Sequence, residues 1–164
     1  MFQKKWIVLS LVTAAALLTA CGKTDKNKAE LVGPLSEIMD SLYENADLPQ
    51  DFRDSLADFS TGEIPAESAE YLIGTTDVTY EESYFSVPMM NVIPYQCILL
   101  RLPEGADVDT AKQTIADHAD PRKWVCVEAE SVIVENVGNV VLFIMGDSQI
   151  TNAVQEAFLA LGAE

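Results

Sequence analysis

A chain of 164 residues, 49% of them hydrophobic, is one domain's worth and long enough to bury a sizeable core. Ten basic side chains against 26 acidic ones give a net charge of −16, which excludes the basic footprint of a nucleic-acid binder and opposes flat docking on anionic lipid. The D-x-D-x-D-G calcium loop is absent and Asp107-Val108-Asp109 alone is weak, so the acidity is read as the solubility charge of an exposed surface.

The chain opens MFQKKWIVLSLVTAAALLTAC: Lys4 and Lys5, then an uncharged apolar run from Trp6 to Ala20. That run is shorter than the ~20 residues a membrane-spanning helix needs, and a basic start with a short apolar core is the pattern of a signal peptide. Leu18-Thr19-Ala20-Cys21 resembles the lipobox of bacterial lipoprotein precursors. The resemblance implies a diacylglyceryl group on the Cys21 sulfur and cleavage before it, making Cys21 the mature N-terminus. Residues 1–20 are then the signal peptide, 21–30 a polar tether (CGKTDKNKAE) and 31–164 a single folded domain. Cleavage removes Lys4 and Lys5 and no acid, so −16 becomes −18. Two acyl chains hold a protein at a membrane durably where one holds it marginally, and the expected location is the extracytoplasmic face.

From Leu31 to Ala46 the apolar residues Leu31, Leu35, Ile38, Leu42 and Ala46 follow a three-four spacing, an amphipathic helix. Leu48 to Pro65 reads as a loop with one helical turn, Glu70–Ile73 as a first strand, and Thr79–Phe85 as a short helical piece ended by Pro88. Tyr95–Leu102 (YQCILLRL) is a strand between Pro94 and Pro103. Asp107 is placed to cap a helix running to His118, with Val108, Ala111 and Ile115 inward. VIVENVGNVVLFIM reads as two strands about Gly138-Asn139, the second apolar on both faces and therefore central. Ser148 is the expected cap of a last helix carrying Ile150, Ala153, Val154, Ala157, Phe158 and Leu161 inward. The sum is an α+β fold: a small, mainly antiparallel sheet with helices packed against it.

Six stretches, EYLIGTTDV (70–78), PMM (88–90), EGADVD (104–109), DPRKWVCV (120–127), VIVENVGNVVLFIM (132–145) and EAFLAL (156–161), resemble an uncharacterised family of Gram-positive extracytoplasmic lipoproteins carrying a domain of unknown function. The resemblance implies a membrane-anchored extracytoplasmic domain and supplies no catalytic residues.

Signatures of phosphate-binding loops, dinucleotide sites, serine hydrolases, zinc proteases and CxxC redox sites are absent from the sequence. The single histidine, His118, has Asp117 and Asp120 nearby, a pairing suited to a general base, but at a helix C-terminus it also complements the dipole. No metal or cofactor is expected. Cys97 and Cys126 lie in strand-like contexts, and outside the cell a disulfide between them is permitted. The candidate binding residues are Arg122, Lys123 and Trp124, the mature chain's adjacent basic pair followed by an aromatic. Trp124 is expected to anchor the core, with Arg122 and Lys123 at the rim of a surface. A second candidate surface gathers Tyr80, Tyr84, Phe85, Met89, Met90 and Tyr95. The sequence therefore favours a lipid-anchored, non-enzymatic binding module, its partner a protein or an envelope component and its ligand unassigned. An envelope hydrolase built on carboxylates and a small-ligand sensor are the alternatives.

Overall fold

A computed structural model of the chain describes residues 30–90 and 93–163. The expected signal peptide, Cys21 and all but the last residue of the expected tether lie outside the described residues.

Five strands form one antiparallel sheet in the order β1-β2-β3-β5-β4: β1 (Phe59–Gly62), β2 (Glu82–Pro88), β3 (Gln96–Arg101), β4 (Ser131–Val137) and β5 (Val140–Gly146). Five helices complete the α+β fold: α1 (Leu35–Asn45), α2 (Gln50–Ser55), α3 (Ala69–Ile73), α4 (Val108–His118) and α5 (Ser148–Leu161). The central pair β3 and β5 is apolar on both faces, so both faces must be covered. Cys97 and Leu99 of β3, paired with Ile144 and Leu142 of β5, point to a core closed by α1, α2 and α5. The alternate residues Ile98 and Leu100, paired with Phe143 and Val141, point to a second core closed by α3, α4 and the 119–130 connection. The sheet is thus the middle of three layers.

Local chemistry explains most boundaries. Gly138 takes φ 57° at the first central position of the β4–β5 hairpin, where glycine meets no steric penalty and the turn matches the strand twist. Asp107 caps α4 by accepting from Thr110 N at 3.0 Å. The cap of α5 is Asp147, which accepts from Gln149 N and Ile150 N. The expected cap Ser148 is instead the first helical residue.

Three segments depart from the sequence expectation. Glu70–Ile73 is not a strand but lies in α3, which buries Ala69, Leu72 and Ile73. Gly74 ends this helix at φ 91°, so close to α4 that a Cβ there would lie 2.3 Å from the His118 carbonyl oxygen. Thr79–Phe85 is not helical; its second half enters β2, paired with β3 from Glu82↔Arg101 to Ser86↔Cys97. Leu48–Pro65 holds α2 and also the edge strand β1.

At its N-terminal side, residues 31–35, the domain is clasped to the sheet. Arg101, at the end of β3, donates to the carbonyls of Leu31 (2.7 Å) and Gly33 (2.6 Å) and pairs with Glu82 at 3.0 Å. Glu82 in turn accepts from Leu35 N at 2.8 Å, fixing the start of α1.

Candidate functional site

The connection 119–130 carries the Arg122-Lys123-Trp124 trio, and the three side chains take different roles. Trp124 is 7% exposed and belongs to the second core, as expected of an anchoring aromatic. Arg122 is exposed, with its backbone N–H donating to Asp120 Oδ1 at 2.9 Å. Lys123 is not a rim residue. Its ammonium donates to the Tyr71 carbonyl at 2.8 Å and to Oε1 of the wholly buried Gln96. It also lies 4.5 Å from the centre of the Tyr71 ring and 5.4 Å from that of Trp124. Gln96 Nε2 completes the chain by donating to the Leu72 carbonyl at 3.1 Å. Burial pulls the Lys123 ammonium down to about 8, against an opposing pull from Asp120. The two oxygen acceptors also favour the charged form. Lys123 therefore fastens α3 to the sheet.

A cleft of about 280 Å³ beside this lysine is lined by His118, Asp120, Glu70 and Tyr71 over Phe143 and Met145. His118 and Asp120 thus come together, whereas Asp117 accepts from Gln113 Nε2 on the exposed face of α4 at 2.7 Å. His118 Nδ1 is 2.8 Å from the Thr114 carbonyl, to which it donates. That bond fixes the tautomer of His118 with Nε2 free, while the Lys123 ammonium is committed to the Tyr71 carbonyl and Gln96 Oε1. Among the described residues no group of three or more His, Cys, Asp or Glu side chains is placed to hold a metal ion.

Cys97 and Cys126 are both free thiols, so the disulfide that the sequence permits is not formed. Cys97 is buried toward α1 and α5, while Cys126 is exposed in the connection that covers the opposite face. The sheet separates them. Burial pushes the Cys97 thiol up to about 12, so it is packed as a small hydrophobe and not as a nucleophile. The aromatic and methionine cluster is also dispersed: Tyr84 packs toward the first core, Tyr80 and Phe85 toward the second, Tyr95 is buried, and Met89 and Met90 are exposed.

A different concavity was not foreseen. A groove of about 420 Å³ opens between α1, α2 and the outer strands β1 and β2. Met39 and Leu56 supply apolar walls, Tyr43 and Tyr84 supply rings, and Asp40 and Glu44 stand at the mouth one helical turn apart. Arg53 also lines it, with Nη1 donating to the Tyr43 carbonyl at 2.7 Å and Nη2 to the Ala46 carbonyl, where they satisfy the end of α1. Beneath lies a small polar group. The Tyr43 and Tyr95 hydroxyls are 3.1 Å apart, and burial raises both phenols well above their ordinary range. Ser86 is wholly buried, and its Oγ, though close to the Tyr43 hydroxyl, makes no hydrogen bond of proper geometry. The spacing of Asp40, Tyr43 and Glu44 on one helix was the available signal for this groove, but its other walls come from residues up to 86.

Fold and groove together define a three-layer α+β domain with a concave, tyrosine-lined surface on one side of its sheet. Comparison of the chain with protein-family models, with curated proteins and with solved structures finds no match in any of the three.

Proposed function

We propose that the chain is a lipid-anchored lipoprotein of the extracytoplasmic membrane face, and that its domain is a non-enzymatic binding module for an envelope component or a protein. The observation that carries the proposal is the order Lys4-Lys5, apolar run, Leu18-Thr19-Ala20-Cys21, polar segment, then a domain whose first buried residue is Leu31. Residues 22–30, fully extended, reach at most ~30 Å, so the domain works close to the membrane. The Arg101 clasp on the Leu31 and Gly33 carbonyls suits a domain held from its N-terminal side.

Binding without catalysis is supported by the commitments of the side chains that could do chemistry. Lys123 is tied to carbonyl and amide oxygens, and the Cys97 thiol is buried. The groove offers rings, apolar walls and carboxylates, the features of a recognition surface. The resemblance to Gram-positive extracytoplasmic lipoproteins points the same way.

A photo-crosslinking side chain placed at Thr61, exposed in the groove, should yield a specific adduct on intact cells. The same group at Asn152, exposed on α5 away from the groove, should not. Equal labelling from both positions, or none from Thr61, would count against the module.

A further inference from the structure

We infer that the outer edge of β4, over Ser131–Val134, receives an extended, lysine- or arginine-bearing segment of a partner protein as a sixth strand. The inference rests on the binding-module proposal for the kind of partner, but it uses the edge of the sheet opposite β1 and the groove. The two-residue turn makes Val137 and Val140 a hydrogen-bonded pair. Alternation then commits Ser131, Ile133 and Glu135 to β5 and turns the N–H and C=O of Val132 and Val134 outward. The bond from Leu102 N to the Asn139 carbonyl at 2.9 Å, on the other side of the hairpin, is in phase with that assignment. Among the described residues no backbone partner outside the β4–β5 pairing reaches Val132 or Val134. Val132 is also 39% exposed.

An edge of this kind is a template for another strand unless something blunts it. At the hairpin end it is blunted. Lys112 Nζ reaches Glu135 Oε1 at 2.7 Å and Asn136 Oδ1 at 2.9 Å, and the Asn136 N–H turns to Glu135 Oε1. Over Ser131–Val134 the chain has no proline, glycine or charge, and its branched side chains favour sheet pairing. The opposite edge, β1, is four residues long and ends in Gly62, a poorer template. Charge selects the occupant. Residues 31–164 hold five basic side chains against 24 acidic ones. Four of the five, Arg53, Arg101, Lys112 and Lys123, are held by carbonyl, carboxylate or amide oxygens. Glu128 and Glu130 stand exposed at the entry to β4. A cationic strand is therefore matched and an acidic one repelled. A second copy carries the same negative charge. Antiparallel β4–β4 pairing would also set the two Arg101 clasps at opposite ends of the joint sheet, whereas anchored chains share one membrane.

The test is amide hydrogen exchange by NMR on the full chain in maltoside micelles, with a heptapeptide of alternating lysine and valine as the probe. The Val132 and Val134 amides should exchange quickly in the free chain and slow by about tenfold or more with the peptide. Ile133, already bonded to β5, should change little. Replacing the peptide's lysines by glutamates should weaken binding about tenfold or more. Val132→Pro removes an outward N–H and no β5 bond, so it should abolish the protection at Val134 and leave the melting temperature within a few degrees of wild type. The wild-type exchange pattern decides the matter even if that variant folds poorly. No protection from the lysine peptide, equal protection from the glutamate one, or protection that survives Val132→Pro would overturn the cationic strand. Protection that grows with protein concentration in the absence of peptide would overturn it in favour of a second copy. A Thr61 crosslink on cells without this protection leaves the module standing and removes the edge. Protection without a Thr61 crosslink keeps the edge and counts against the groove.

Discussion

Truncating Lys123 should damage the fold far more than a surface lysine would. In Lys123→Ala the buried Gln96 Oε1 loses the ammonium that donates to it, and a buried orphaned acceptor costs ~1–3 kcal/mol. The contacts of the ammonium with the Tyr71 and Trp124 rings at 4.5 and 5.4 Å go as well, and these contribute ~0.5–1 kcal/mol each at partly exposed sites. The expected loss is about 2–5 kcal/mol in urea unfolding at neutral pH. The double variant with Gln96→Leu should fall short of the summed losses by about 1–2 kcal/mol, since the two groups share one contact. The pH dependence gives a second handle. The unfolded lysine keeps its proton up to its ordinary value of 10.5, whereas the folded one begins to give it up near 8. Between those values the unfolded chain binds more protons, so this group makes stability rise with pH. Lys123→Met should lack that rise. A Lys123→Ala melt within ~0.5 kcal/mol of wild type, the range of ordinary surface changes, would refute the fastening role.

Trp124→Ala, emptying a site that is 7% exposed, should lower stability by ~3–5 kcal/mol, while Arg122→Ala next to it should stay within ~0.5 kcal/mol in the same melts. Asp147→Ala removes the oxygen that accepts from Gln149 N and Ile150 N and should lower stability by about 1 kcal/mol. Ser148→Ala should be nearly silent, and a reversed order would show that the cap is misplaced. Chelator treatment should leave the melting temperature unchanged, and a drop of several degrees would point to a bound cation.

Long periodic segments were legible and short ones were not. The strand Gln96–Arg101, the helix Val108–His118, the hairpin about Gly138-Asn139 and the helix Ser148–Leu161 each repeat a pattern over six residues or more. Burial follows the repeat. The run EYLI is too short for periodicity to separate strand from helix. Ala69, Leu72 and Ile73 at spacings of three and one, closed by Gly74, were the helical clue. In ESYFSVP the buried serines Ser83 and Ser86 interrupt the apolar alternation on both faces of β2, and that hid a strand rich in the aromatic and branched residues that favour sheets. Trp124 could be assigned to the core from its residue type, but Lys123 could not. Its partners Tyr71 and Gln96 lie 52 and 27 residues away in sequence. Only one wall of the groove, Asp40, Tyr43 and Glu44 on α1, was legible, because α1, α2, β1 and β2 meet through the sheet's topology and not through local pattern.

The central claim is anchoring of a binding domain by Cys21, and mass spectrometry of the mature N-terminus of protein recovered from membranes tests it most directly. The predicted first residue is Cys21 carrying a diacylglyceryl group, with residues 1–20 gone, and Cys21→Ala should abolish both the acyl label and the cleavage. A mature chain that begins elsewhere, or a Cys21 without lipid, would contradict the account.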